Sequence, residues 1–489
     1  MKVSRTMSTQ HPDNVRQPFF ADNSILKGED EIKEAFYAFS HLNSHEQLWD
    51  CEGKEVDNFV VKKLLSKYEP YFSKSILGKD KFLTLRIPNP DVEKADAKIL
   101  LETLESIPRS FDVANHFYGN GIAPIFEVAL PMTGSGAALA RVAEYYKQIV
   151  VGKKNRSLVP GDIKISDWIG DFQPEEIRLI PLIETKEAVL KADNILADFL
   201  ALEKIKDYQR VWLARSDPAL NYGNISAILM VKVALQRLHD LQEEESIEIL
   251  PIIGCGSAPF RGNLKPTNAD MFIKNYPSVQ TYTIQSAFKY DYDEKLVRSA
   301  VEKMNAAERK APIQVDENRC RDLIERQAGE YRKQVTILAP LINDFAKHVP
   351  SRRARKLHIG LFGYSRKNET VELPRAISFC ASLYSLGLPP ELLGMNAFSD
   401  KDIDFIRSVV PGFDDDMADA LAYVNKDNLG FFPKEIITAL KPVIEKFSTA
   451  PDARHQKITS IIMDDYRKKN LVSISEDITR AGLIRGFLG

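Results

Sequence analysis

Cysteine is scarce and scattered. Cys51, Cys255, Cys320 and Cys380, four in 489 residues, form no CxxC pair, which excludes a disulfide-stapled secreted fold and a zinc site and suits a reducing compartment. No apolar run reaches the roughly 18 residues of a membrane span. The opening Met1-Lys2-Val3-Ser4-Arg5-Thr6 lacks the apolar stretch of a secretory signal, so a cytoplasmic protein is expected. Neither sign of charge is in excess, with 66 Lys plus Arg against 68 Asp plus Glu and a formal charge of −2. Bulk nucleic-acid binding needs a basic face and is not expected. Internal repeats and low-complexity linkers are missing too. What is present is an ordinary globular composition, 44% hydrophobic and 27% charged, without the bias of disorder or collagen. The length allows about three domains of roughly 150 residues, or one α/β barrel with insertions.

Short apolar runs alternate with helical stretches. Strands are expected at 3–9, 82–87, 124–130, 178–184, 211–215, 247–253, 279–284 and 357–362, each short, apolar and bounded by Pro, Gly or charge. After Thr185 the spacing turns helical, with Val189, Ala192, Ile195, Leu196, Phe199 and Leu200 on one face. Helical patterns also fill 224–241 and 269–276. Strands separated by helices pair in parallel through right-handed crossovers, and about eight such units predict a (β/α)₈ TIM-type barrel. An open doubly wound sheet is the alternative. Residues 1–366 are expected to form the barrel, with helical insertions at about 14–80 and 287–350, and 367–489 a helical region packed on it. The run Arg352-Arg353-Ala354-Arg355-Lys356 reads as a surface loop or subunit contact.

A barrel of this kind builds its active site at the carboxyl ends of its strands. There the sequence places His11, Arg86, Glu184, Arg215-Ser216-Asp217, Gly254-Cys255-Gly256-Ser257 and Gly363-Tyr364-Ser365-Arg366. Glu184 and Asp217 follow consecutive expected strands, roughly 4.8 Å apart if they are neighbours. Two carboxylates completed by water and substrate oxygens suit Mg²⁺ or Mn²⁺. A helix cap, or a pair between Glu184 and Arg215, is the plainer alternative. In the glycine-rich loop, small residues let backbone N–H groups approach an anion, and Arg261 adds a guanidinium clamp. Arg366 and Arg375 would add further cations, or else pair with Glu369 and Glu372. His11, held before Pro12, suits a general base near neutral pH or an ordinary capping role. The cluster from Trp49 to Asp57 is a helix start or an outer wall of the site.

Taken together, these stretches resemble a known family. Ser8-Thr9-Gln10-His11-Pro12-Asp13-Asn14 is similar to the amino-terminal signature of the short, archaeal-type phosphoenolpyruvate carboxylases. Leu213-Ala214-Arg215-Ser216-Asp217-Pro218-Ala219, Ser257-Ala258-Pro259-Phe260-Arg261-Gly262, Gly363-Tyr364-Ser365-Arg366 and Leu373-Pro374-Arg375-Ala376 follow in the family's order over nearly the whole chain. The resemblance implies a barrel of the phosphoenolpyruvate/pyruvate superfamily, phosphoenolpyruvate and bicarbonate as substrates, a divalent metal and a homotetramer. It puts Glu184 and Asp217 on the metal, His11 at the base position, and Arg261, Arg366, Arg375 and Arg86 on substrate. Cys255 and Leu220 stand where the long enzymes of the family carry an arginine and a lysine. Arg485-Gly486-Phe487-Leu488-Gly489 is similar to the family's ending, which folds back towards the site. The implied reaction turns phosphoenolpyruvate and bicarbonate into oxaloacetate and phosphate through carboxyphosphate and pyruvate enolate. An aldolase-type lyase of 2-oxo acids and a non-catalytic helical protein on a decayed barrel are the competing readings.

Overall fold

Eight short strands close into a parallel barrel: β1 (Thr6–Ser8), β2 (Glu46–Asp50), β3 (Phe82–Arg86), β4 (Glu127–Leu130), β5 (Arg178–Ile183), β6 (Tyr208–Ala214), β7 (Glu248–Gly254) and β8 (Thr281–Ile284). This computed structural model describes residues 3–52, 57–94, 97–354, 367–368, 371–447 and 450–489. Each strand pairs with the next, and β8 returns to β1 through Thr6–Tyr282, Met7–Thr283 and Ser8–Ile284. The open-sheet alternative is therefore excluded.

Two expectations about the strands need correction. Residues 14–80 are not a pure helical insertion, because β2 lies within them. Its sequence, Glu-Gln-Leu-Trp-Asp, hides from an apolar-run criterion because Glu46 and Gln47 are buried polar residues. The strand expected at 357–362 lies outside the described residues, and the barrel closes on eight strands without it. Residues 287–350 consequently follow the last strand and interrupt no pair. They hold the helices Glu294–Ala306 and Glu317–Phe345.

The polar strand residues have a reason. Arg210, on β6, reaches across the barrel to Glu46 of β2 at 2.8 Å and Glu127 of β4 at 2.6 Å, and also meets Thr281 of β8 at 3.2 Å. Ser4 and Thr84 donate to Glu46. Alternate strands thus fill one layer of the interior, and every charge in it meets an opposite one, as deep burial requires. Nearer the carboxyl ends the interior turns apolar, with Met7, Leu48, Ala129, Ile180, Leu182, Trp212, Ala214 and Ile252 packed together.

Outside the barrel, Val189, Ala192, Ile195, Leu196, Phe199 and Leu200 are buried along the helices Lys186–Val189 and Ala192–Glu203. The longest helices, Asn224–Glu245 and Glu317–Phe345, pack on one another. Beyond residue 371 the described chain is mostly helical. Its helix Ala376–Ser385 is packed against the loop after β7 through Phe379 and Phe260, whose rings lie 5.6 Å apart. The run at 352–356 is not a surface loop where it is described. Arg352 and Arg353 are buried, and Arg353 forms ion pairs with Glu31 and Glu34, both at 2.8 Å.

Candidate active site

A cleft enclosing about 110 Å³ opens at the carboxyl ends of the strands. It is lined by His11 after β1, Glu52 after β2, Arg86 on β3, Glu184 after β5, Arg215 to Asp217 after β6, Gly254 at the end of β7 and Arg261 after it, and Gln285 after β8. Glu93 reaches it too, and Arg375 and Ile377 close it from the start of the helix Ala376–Ser385. Every expected site residue within the described chain is in this lining; Arg366 lies outside the described residues. Trp212 and Leu182 form the apolar floor.

One side is acidic. β5 and β6 are hydrogen-bonded neighbours, in register at Ile183 and Leu213, so the residues that follow them are adjacent. Glu184 is buried and accepts from the Met132 N–H at 2.8 Å, without the pair to Arg215. Burial, followed by the like charges of Asp217 and Glu52, pushes its carboxyl up to about 8. Asp217 sits in the first turn of the helix Ser216–Tyr222. Among the described residues no three His, Cys, Asp or Glu side chains form a complete metal cage. Two carboxylates that need water and substrate oxygens to finish the coordination are what Mg²⁺ or Mn²⁺ takes.

The glycine-rich loop works differently from the backbone cradle expected of it. The Cys255 N–H donates to Thr283 Oγ1 at 2.9 Å, that of Gly256 to the Arg261 carbonyl at 2.9 Å, and that of Ser257 to Asp13 Oδ2 at 3.5 Å. Its amides are engaged within the protein, and its glycines make room for side chains. A Cβ at Gly254 would meet Trp212 Nε1 at 2.7 Å, and one at Gly256 would meet Arg261 Nη1 at 2.7 Å. Burial pushes the Cys255 thiol up to about 12, which makes it inert at neutral pH. Leu220 is fully buried in the main core.

Basic groups share the same lining, each held by its own partners. Arg86 is braced by Asp50 through Nε at 3.1 Å and Nη2 at 2.7 Å, with Glu52 at 3.3 Å. Arg261 is held by Asp13 at 3.1 Å, by the Gly489 oxygen at 2.9 Å and by Gln285 at 2.6 Å. Gly489 and Leu488 do fold back to the site, since the Leu488 N–H also donates to the Asp13 carbonyl at 2.7 Å. The His11 ring is fixed through Nδ1 against Thr9 Oγ1 at 3.0 Å. Below it, Glu34 accepts from Lys289 at 3.0 Å and from Gln10 at 3.3 Å, while Gln10 accepts from the Asp50 N–H at 3.0 Å. One buried chain of polar contacts therefore ties the His11 loop to the carboxylate that braces Arg86.

Sequence reasoning did not single out Glu52, Glu93, Arg215 or Gln285 as site residues. Glu52 falls within the Trp49–Asp57 cluster, which the sequence marks only as a helix start or an outer wall, and Glu93 lies in a loop without a motif. Arg215 stood next to Asp217 in a noted stretch and was passed over.

A cleft lined by carboxylates, guanidiniums and a fixed imidazole can bind a small phosphorylated acid and move a proton on it. The family model described as phosphoenolpyruvate carboxylase matches residues 3–489. Curated relatives with that name are 51% identical in Methanospirillum hungatei and 50% in Methanothermobacter thermautotrophicus, each over all of both chains. Another from Pyrococcus abyssi is 49% identical, again over the full length of both. This chain belongs to the archaeal-type phosphoenolpyruvate carboxylases, which are carbon–carbon lyases.

Proposed function

We propose that the cleft joins phosphoenolpyruvate to bicarbonate, giving oxaloacetate and inorganic phosphate and so replenishing oxaloacetate. The observation that carries the reading is the convergence of His11, Glu184, Asp217, Arg261 and Arg375 on one small cleft. A bicarbonate oxygen attacks phosphorus, and the bond from phosphorus to the enol oxygen breaks, leaving carboxyphosphate and pyruvate enolate. Arg261 and Arg375 neutralise the phosphoryl oxygens and keep carboxyphosphate in place. Arg366 shares that work by resemblance alone, and Arg86 holds substrate from the side of β3. His11 takes the carboxyphosphate proton, and the bond between carbon and the phosphate oxygen breaks to give phosphate and carbon dioxide. The enolate carbon then attacks carbon dioxide, forming the new carbon–carbon bond. The apolar floor at Leu182 and Trp212 keeps water from protonating the enolate first.

Glu184 and Asp217 would hold Mg²⁺ or Mn²⁺. The donor set fits, because a buried carboxyl pushed up by its acidic neighbours gains most from a hard cation. When bound, the cation supplies positive charge beside the oxygen on which charge develops. The deciding experiment is a coupled assay of oxaloacetate formed from phosphoenolpyruvate, with and without bicarbonate and Mg²⁺. Product only when all three are present supports the reading; product without bicarbonate rejects it.

Residues 367–489 are read as a helical region packed on the barrel, and the assembly as a homotetramer in the cytoplasm. Leu158, Val159, Ile163 and Trp168, each more than half exposed, support contact between copies. No single helix among the described residues is long and apolar enough to cross a membrane. Light scattering on the purified chain tests the assembly.

A further inference from the structure

Arg215 is 1% exposed, yet it lines the cleft. Its Nη2 donates to Asn224 Oδ1 at 2.9 Å, while its Nε and Nη1 make no well-aligned hydrogen bond, and the only other polar group against the guanidinium among the described residues is the neutral Tyr276 hydroxyl. An Nε without a partner is common among the buried arginines here; a terminal nitrogen in that state is shared only with Arg5 among the described residues. The charge is uncompensated as well. Arg86, Arg210, Arg261 and Arg353 each pair with a carboxylate, whereas Arg215 has a neutral amide. Asp416 lies within its field but bonds to Asn263. The Tyr276 hydroxyl beside it is held neutral by burial. A guanidinium taken out of water without an anion is unfavourable, and in Arg215, unlike the equally carboxylate-free Arg5, Arg352 and Arg485, that charge faces the cleft.

We propose that Arg215 is a phosphoryl-binding residue of the cleft, presenting Nη1 to the phosphate of the substrate and of the product. The neighbouring groups leave that role open. The loop after β7 has its amides engaged internally, its Cys255 side chain carries no charge, and Arg261 spends both Nη1 hydrogens on Asp13 and Gly489, keeping a single Nη2 hydrogen beside its bond to Gln285 for the phosphoryl group. Arg215 and Arg261 both act electrostatically on Cys255, so the two guanidiniums flank one loop. Two planar guanidiniums lining one cleft suit a tetrahedral oxyanion. The assignment rests on the reading of the cleft as a phosphoenolpyruvate site.

Inorganic phosphate is the probe, titrated calorimetrically into the full chain in the absence of phosphoenolpyruvate. R215M weakens phosphate binding at least about tenfold, and R215K restores part of the loss. N224D is the decisive variant, because it hands Arg215 a carboxylate without changing its shape. With Arg215 binding phosphate, N224D weakens that binding about three- to tenfold while the melting temperature holds or rises. Michaelis constants for phosphoenolpyruvate rise in step. Unchanged phosphate affinity in folded N224D overturns the assignment, whatever R215M does. If these affinities shift as expected but the wild type forms no oxaloacetate, the carboxylation reading fails and Arg215 stands as an anion site. If oxaloacetate forms and the affinities do not move, Arg215 alone is rejected.

Discussion

Arg261 donates through Nη1 to the buried carboxylate of Asp13 at 3.1 Å, and this pair ties the loop after β7 to the loop that carries His11. The other oxygen of Asp13 accepts from the Ala287 N–H at 2.7 Å, so three segments of the mouth share one side chain. D13N keeps the shape and removes the counter-charge of Arg261. It should cost about 3–5 kcal/mol of stability, the usual effect of breaking a buried pair, read as a lower midpoint in urea.

Glu34 predicts an acid limb. It is buried, and although desolvation alone would raise its carboxyl, Arg353 and Lys289 hold it well below the ordinary carboxylate range. A depressed folded pKa contributes stability that is fully present above the unfolded value, roughly 4.3. That contribution is lost as pH falls from there towards the lower folded value. E34Q should therefore be less stable than wild type at pH 7, and the gap should narrow steadily below about pH 4. Equal gaps at pH 7 and pH 3 in denaturant titrations would rule this out.

The base role proposed for His11 separates two halves of the reaction. H11N should still release phosphate from phosphoenolpyruvate in a bicarbonate-dependent way, while oxaloacetate formation falls about 10²- to 10⁴-fold, the usual worth of a general base. Full oxaloacetate production by H11N would remove the imidazole from the mechanism.

The acidic wall is tested without turnover. E184Q removes one unit of charge from the proposed cation site, a change worth a few kcal/mol at contact. The dissociation constant for Mn²⁺, followed by its electron paramagnetic resonance signal, should rise by about two orders of magnitude. An unchanged constant would move the metal elsewhere.

Gly489 packs too closely for any side chain. A Cβ there would lie 2.1 Å from the Ile377 carbonyl oxygen and 2.6 Å from the Ala381 nitrogen. G489A should cost about 1–3 kcal/mol through overpacking. It should also raise the Michaelis constant for phosphoenolpyruvate, because Ile377 lines the cleft and Arg261 holds Gly489.

The acid pair was readable from sequence because Glu184 and Asp217 each follow an apolar strand, and neighbouring strands bring such residues together. β2 was not readable. Glu46 faces into the barrel and Gln47, next along the strand, faces the helical layer; only the charge of Arg210, 164 residues away, makes a buried glutamate there tolerable. The same blindness led the apolar run at 357–362 to be counted as the eighth strand. Arg353 has the look of a solvent-facing charge in sequence because its partners, Glu31 and Glu34, lie more than 300 residues earlier. Local pattern located the cleft; long-range charge pairing, invisible to it, completed the walls.

The layer of Arg210, Glu46 and Glu127 has a last implication. With these side chains locked together across the barrel, the chamber above them is a blind well. A small neutral gas set free inside cannot drain through the bottom and must leave by the entrance or be captured where it forms.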